Sequence, residues 1–263
     1  MTKLEGHSGC DLSFVNKNGK LFIRKTSKDK KYNERLEKQC NKQINFEHNY
    51  IKAPKIHEFG NDLNGLFYFD MEYINGLKFN DFVKLKKFTQ VLNIFTKILD
   101  FIFNNFTINN LKLSNEINAK IDSITTTNLI DKHVIEQLKL YSLLECKTGY
   151  CHGDLTFENI IISNDQIYLI DFLDSYIESP IIDISKLLQE FDLNWSNRNS
   201  VNDNAISLIR NIFLKRLLYE RIREFNINNF TIELQRKLTL MRILPYTNSI
   251  TLQLKLLNII NKL

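Results

Sequence analysis

Two short segments of alternating apolar and polar residues, "DLSFV" (11–15) and "KLFIRKT" (20–26), flank Lys17-Asn18-Gly19. Asn-Gly accepts positive φ at both central positions of a type I′ turn, whose twist matches that of paired strands. The segments are therefore predicted to form an antiparallel β-hairpin. Along its second strand Leu21, Ile23 and Lys25 share one face, and Phe22 and Arg24 the other.

A helix is predicted next. Residues 30–46, "KKYNERLEKQCNKQINF", bring Leu36, Cys40, Gln43 and Phe46 onto one side at helical spacing. After Pro54, "GLFYFDMEYING" (65–76) reads as a strand running into a turn at Asn75-Gly76. From residue 77 the apolar period changes to that of helices. Phe82, Leu85, Phe88, Leu92, Phe95, Leu99 and Phe103 form one stripe, and similar patterns recur at 129–146, 180–192, 201–225, 230–243 and 247–262. Two short strands, "NIIIS" (159–163) and "QIYLID" (166–171), interrupt the helices and are joined by Asn164-Asp165. The expected fold class is α+β, with a small β-rich lobe over 1–76 and a larger, mainly helical lobe over 77–263.

Composition narrows the function. A hydrophobic fraction of 43% and a charged fraction of 25% exclude a disordered or fibrous chain. No apolar run approaches the roughly 20 residues of a membrane span, and "MTKLEGHSGCD" lacks the apolar centre of a secretory signal. Cys10, Cys40, Cys146 and Cys151 show no C-x-x-C spacing and read as small core thiols, so a cytoplasmic location is expected. Residues 17–55 carry 12 Lys/Arg against 4 Asp/Glu, a local charge of +8 within a net +5. Interleaved aromatics and zinc-finger spacing are missing from that stretch, so a lobe that receives a polyphosphate fits better than a nucleic-acid face.

Chemistry concentrates in "GYCHGDLTFENIIISNDQIYLIDF" (149–172). Asp154 lies in a polar loop, Asn159 starts the first short strand and Asp171 ends the second. A hairpin sets the start of one strand beside the end of the other, so Asn159 and Asp171 are predicted neighbours. Such a pair of oxygen donors suits Mg²⁺, which takes one or two protein oxygens and completes its shell with water and phosphate. Asp154 is then available to orient or deprotonate a hydroxyl.

The pattern H-G-D-x4-N followed by I-D-F resembles the catalytic loop and metal-binding motif of the aminoglycoside phosphotransferase and choline kinase family, relatives of the protein kinases. The order of hairpin, helix and strand ahead of it extends the resemblance over essentially the whole chain. It implies a protein-kinase-like bilobal fold and ATP- and Mg²⁺-dependent transfer of the γ-phosphoryl group to a hydroxyl of a small molecule. By that resemblance Asp154 is the catalytic base, Asn159 and Asp171 hold Mg²⁺, and His152 and Gly153 shape the loop. Lys25 reaches the phosphates, or Arg24 if the register slips by one. A helix carboxylate, Glu37 or Glu34, steadies that lysine, although Gln39 is the better-placed inward position. Gly6, Ser8 and Gly9 of "EGHSGC" approach the phosphates, behind a first strand that must be short or absent. Met71, Glu72 and Ile74 of "DMEYING" border the adenine.

Asp183 resembles the aspartate that braces the catalytic loop. Asp174 and Glu178 are candidates for an acidic acceptor rim, whereas Tyr176, Trp195 and Tyr246 read as core more readily than as a surface for a quaternary ammonium. Leu173 stands where protein kinases have glycine, and no A-P-E signature follows, which argues against a protein kinase. Amino alcohols, sugars and aminoglycosides stay open as acceptors. A catalytically silent pseudokinase that binds nucleotide is the alternative. Neither a nucleic-acid nor a protein partner is expected.

Overall fold

The structure is a computed structural model describing residues 3–4, 10–112, 114–124, 130–141, 145–198, 205–247 and 249–262. The chain divides into two compact units, residues 1–79 with 158–174, and residues 80–157 with 175–263.

The first unit opens with strands β1 (Lys3–Leu4), β2 (Cys10–Lys17) and β3 (Lys20–Ser27), then helix α1 (Asn33–Ile44). Strands β4 (Ile51–Lys52), β5 (Ile56–Asn61), β6 (Phe67–Glu72) and β7 (Leu77–Lys78) follow. Asn18 and Gly19 take φ of 52° and 78°, and Lys17 opposes Lys20, so the first hairpin closes through the expected two-residue turn. The main sheet runs β1-β2-β3-β6-β5, with the short β1 at its edge against Leu12 and Ser13. Asp29 caps the turn of 3-10 helix that leads into α1, its carboxylate accepting the Tyr32 N–H at 3.0 Å. One side of α1 buries Leu36 and Cys40 against Cys10, Phe67 and Phe69.

A second sheet, β4-β11-β10-β7, contains β10 (Ile160–Ser163) and β11 (Gln166–Leu169). Asn164 and Asp165 turn between them at φ of 48° and 60°. The sequence reading assigned everything after residue 76 to the helical lobe. Residues 158–174 instead group with the N-terminal unit, because β11 pairs in parallel with β4 and β10 antiparallel with β7. That pairing needs glycine at position 76, where a Cβ would meet the Ile162 carbonyl oxygen at 2.6 Å.

The second unit holds α2 (Phe79–Leu85), α3 (Phe88–Asn104), α4 (Ser114–Ile124) and α5 (Lys132–Tyr141). After these come α6 (Pro180–Leu193), α7 (Ala205–Glu224), α8 (Asn229–Met241) and α9 (Ile250–Lys262). The predicted stripe through 82–103 is broken at Leu85, which is 70% exposed because α2 ends there and α3 restarts at Phe88. The expected helix over 129–146 is shorter. Its end becomes strand β9 (Glu145–Gly149), which pairs with β8 (Phe106–Lys112). Helix α6 starts on Ser179, whose hydroxyl accepts the Ile181 N–H, with Pro180 in the first turn. All four cysteines are buried. Among the described residues no helix is long and apolar enough to cross a membrane.

Candidate active site

In the second unit the H-G-D loop is tied to α6. The Asp183 carboxylate, 1% exposed, accepts the backbone N–H groups of His152 at 2.7 Å and Gly153 at 2.9 Å. Gly153 adopts φ of 94°, a conformation open to glycine and strained for other residues. His152 is fully buried, and its Nδ1 accepts the Asp154 N–H at 3.3 Å. The imidazole therefore shapes the loop from inside.

The Asp154 carboxylate forms an ion pair with Lys186 of α6 at 2.9 Å. Burial opposes its charge, but the Lys186 ammonium, aided by His152 and Arg242, holds the carboxyl below the usual range. Lys186 was missed in the sequence reading. Its signal was a second charged position three residues after Asp183 in the mostly apolar "PIIDISKLL".

In the first unit Lys25 is 3% exposed and donates to the Asp171 carboxylate and to Gln39 Oε1, the latter at 3.0 Å. Burial alone would favour the neutral amine, yet the adjacent Asp171 overrides it and Lys25 is held above the ordinary lysine range. The register sets Lys25 opposite Leu12 and Phe69. Arg24 turns to the other face, where it grips Asp70 at 2.6 and 2.8 Å and stacks on Tyr68. Asn159 and Asp171 come to one end of the β10–β11 hairpin, where the Ile170 N–H donates to the Asn159 carbonyl at 3.0 Å.

Glu37 does not reach Lys25. Starting α1 at Asn33 turns Leu36, Gln39, Cys40 and Gln43 inward and leaves Glu37 exposed. Glu34 is also exposed and pairs with Lys38 at 3.0 Å. The partner from α1 is therefore the neutral amide of Gln39, the better-placed inward position, and neither of the carboxylates Glu37 and Glu34.

Helix α1 also holds the segment after Asp171. Lys42 donates to the Leu173 carbonyl at 3.0 Å, Phe46 packs on Phe172, and Lys38 approaches Asp174 at 4.0 Å. Asp174 is thus partnered within the first unit, while Glu178 belongs to the second. There Cys151 Sγ donates to the Glu178 carboxylate at 3.5 Å. Met71 and Glu72 close β6, with Met71 opposite Ile23 and Ile56 and the Glu72 N–H donating to the Lys55 carbonyl at 2.9 Å. Ile74 follows the strand. Gly6, Ser8 and Gly9 lie outside the described residues. Tyr176 and Trp195 pack on the core of the second unit, and Tyr246 is 88% exposed, so the three do not make one aromatic surface.

Residues 113–225 match the phosphotransferase enzyme family, APH. The matched stretch contains His152, Gly153, Asp154, Asn159, Asp171 and Asp183. No curated protein matches the chain by sequence.

Solved structures share the fold of this chain. A thermostable mutant of aminoglycoside phosphotransferase APH(4)-Ia, in complex with AMP-PNP and hygromycin B, superposes with a TM-score of 0.68 at 14% identity, covering 99% of this chain and 92% of that one. Plasmodium vivax ethanolamine kinase gives a TM-score of 0.50 at 18% identity, covering 99% and 80%. The fold is the mixed α+β, kinase-like one of these structures, with a β-rich N-terminal region and a helical C-terminal part. The family match over residues 113–225 points to a small-molecule kinase.

Proposed function

We propose that this protein transfers the γ-phosphoryl group of ATP, with Mg²⁺, to a hydroxyl of a small molecule. The observation that carries this reading is the buried Lys25 ammonium, paired with Asp171 at the end of the hairpin that Asn159 begins. A buried lysine is unfavourable unless its charge is used, and nucleotide phosphates are a fitting use. The donor set at that hairpin end, one carboxylate and one amide oxygen, suits Mg²⁺. Asn159 and Asp171 would hold the ion, which when bound neutralises phosphate charge.

Asp154 orients the acceptor hydroxyl and receives its proton as the oxygen bonds to the γ-phosphorus. The bond from that phosphorus to the β-phosphate oxygen breaks, and its electron pair leaves with ADP. Because the transition state is loose, alignment matters more than basicity, which suits a carboxylate whose proton affinity Lys186 lowers. Met71, Glu72 and Ile74 border the adenine in this reading, and Glu178 borders the acceptor. Buried thiols are consistent with work in the reducing cytoplasm.

The test is ATP consumption with Mg²⁺ against amino alcohols, hexoses, aminosugars and aminoglycosides, run beside Asp154→Asn. Turnover with one acceptor class is expected, and the variant should lose about 10²- to 10⁴-fold while still binding ATP. ATP binding without turnover on any acceptor would instead make the protein a silent nucleotide-binding module. Equal activity in the variant would remove Asp154 from the reaction.

A further inference from the structure

Helix α8 carries a polar stripe in its last turns. Gln235, Thr239 and Arg242 follow one another at spacings of four and three, so they share one side of the helix. Gln235, which is buried, accepts the Tyr176 hydroxyl through Oε1 and donates from Nε2 to the Thr239 hydroxyl at 3.3 Å. Thr239, also buried, bonds the Ser185 hydroxyl at 2.9 Å. That contact fastens this side of α8 to α6 one residue before Lys186, the counter-ion of Asp154. One turn further on stands Arg242, which ends α8 with its N–H on the Leu238 carbonyl.

Gln235 and Thr239 are answered from within the chain, and Arg242 is not. Its side chain is half-buried, and among the described residues its guanidinium makes no hydrogen bond, ion pair or ring contact. A guanidinium drawn partly out of water is stabilised by an anion, and here the chain supplies none. Arg242 is nevertheless near enough to Asp154 and to Tyr176 to lower the proton affinity of both. Asp154 does not use up that charge, because Lys186 already pairs with it at 2.9 Å. Nor does Glu178, which receives the Cys151 thiol and makes no ion pair with Arg242. Lys120 of α4 adds a second cation at 5.9 Å from the centre of the Tyr176 ring. The surroundings of Asp154 on the α8 side therefore favour an anion over a cationic amine.

We propose that Arg242 binds the acceptor, and that the acceptor is a hydroxyl compound bearing a carboxylate, which the guanidinium grips while the hydroxyl meets Asp154. The planar fork of arginine matches a carboxylate through two parallel hydrogen bonds, so it fixes orientation as well as charge. The inference rests on the phosphoryl-transfer reading of the same site and names the substrate class within it.

The experiment uses two matched sets of hydroxyl compounds that differ in charge: glycerate, glycerol and aminopropanediol, and glucuronate, glucose and glucosamine. Binding to the full-length protein is measured by NMR titration with AMP-PNP and Mg²⁺ present, and ATP consumption is measured on the same compounds. In at least one set wild type should bind the carboxylate member about 10- to 100-fold more tightly than the neutral one, with the amine weakest. Arg242→Gln should bring the ratio of anionic to neutral affinity below about threefold. The ratio cancels any effect of the substitution on Asp154 that is common to both ligands. Arg242→Lys, which keeps the charge and loses the fork, should lower the ratio by at least about threefold.

A neutral or cationic member bound as tightly as its anionic counterpart, or no binding of either carboxylate, would overturn the proposal. So would an anionic preference that survives Arg242→Gln. If that variant weakens AMP-PNP and leaves the ratio alone, the guanidinium serves the nucleotide and the proposal falls. Should Arg242→Gln not fold, an unchanged ratio in Arg242→Lys is the overturning result. Turnover of a neutral or cationic acceptor with no preference for the anion would leave the kinase reading standing without this one. An Arg242-dependent preference for the anion with no turnover on any compound would uphold the binding residue, and the kinase reading is then what fails.

Discussion

Replacing Gln39 by leucine separates two accounts of how Lys25 is held. Gln39 is 2% exposed and Lys25 3%, so water cannot take over the 3.0 Å hydrogen bond between them. A hydrogen bond to a charged donor contributes about 1.5–3 kcal/mol, so Gln39→Leu, which keeps most of the volume, should destabilise the protein by about 2 kcal/mol. Glu37→Gln, on the exposed side of α1, should change stability by less than about 0.5 kcal/mol.

Lys25→Met acts differently. The Asp171 side chain is 41% exposed, so losing the lysine returns it to water, and relief of the buried ammonium offsets much of the lost ion pair. What remains is the stranded Gln39 carbonyl, at about 1–3 kcal/mol. Combining the two substitutions removes both partners of the bond. The double variant should therefore be more stable than the sum of the single effects predicts, by about 1–2 kcal/mol.

Urea midpoints of wild type, both single variants and the double variant measure this coupling, and the cycle cancels the weak Gln39–Tyr32 contact at 3.4 Å. Additivity within about 0.5 kcal/mol would show that Lys25 and Gln39 do not interact and would refute the reasoning. A loss of stability in Glu37→Gln as large as that in Gln39→Leu would restore the carboxylate partner.

Asp70 is fully buried and is gripped by Arg24 at 2.6 and 2.8 Å and by Lys17 at 2.6 Å. Burial works against its charge but these cations prevail, leaving the carboxyl below the usual range. A depressed carboxyl contributes stability that is present above the unfolded-state value of about 4 and is lost as pH falls through the folded-state value. Asp70→Asn should accordingly lower stability at neutral pH by about 2 kcal/mol and flatten its fall below about pH 4, as read from denaturant midpoints against pH. An unchanged acid slope would mean that Asp70 is not the titrating group.

Gly76→Ala forces a Cβ to within 2.6 Å of the Ile162 carbonyl oxygen and 2.7 Å of Ile161 Cγ2. It should cost about 2–3 kcal/mol, seen as a thermal midpoint lower by about 5–10 °C. A wild-type midpoint in that variant would mean that β7 does not lie on β10 as described.

Both hairpins were legible because their causes are local. Asn18-Gly19 and Asn164-Asp165 tolerate positive φ, and alternation on either side sets the strands. The β8–β9 pair was not legible. Its strands are far apart in the sequence, "FTINNLK" has no clean alternation, and the apolar residues near 146 continue the helical pattern that precedes them. Glu37 was named for its charge, a property of the residue alone, although the helical period already made Gln39 the better-placed inward position. Which of the two turns inward depends on where α1 begins, and the capped turn at Asp29 decides that.

Asp154, Asn159, Asp171 and Lys25 could be picked out of the sequence because residue type, spacing and strand period act over a few neighbouring positions. Two things followed from tertiary structure alone. One is the grouping of residues 158–174 with the N-terminal unit, which depends on strand partners about a hundred residues away. The other is the set of charged counter-groups for the two lysines, Asp171 for Lys25 and Asp154 for Lys186. A buried ion is stabilised by whichever dipole or opposite charge packing brings within about 3 Å, and that choice is made by helix faces and loop docking.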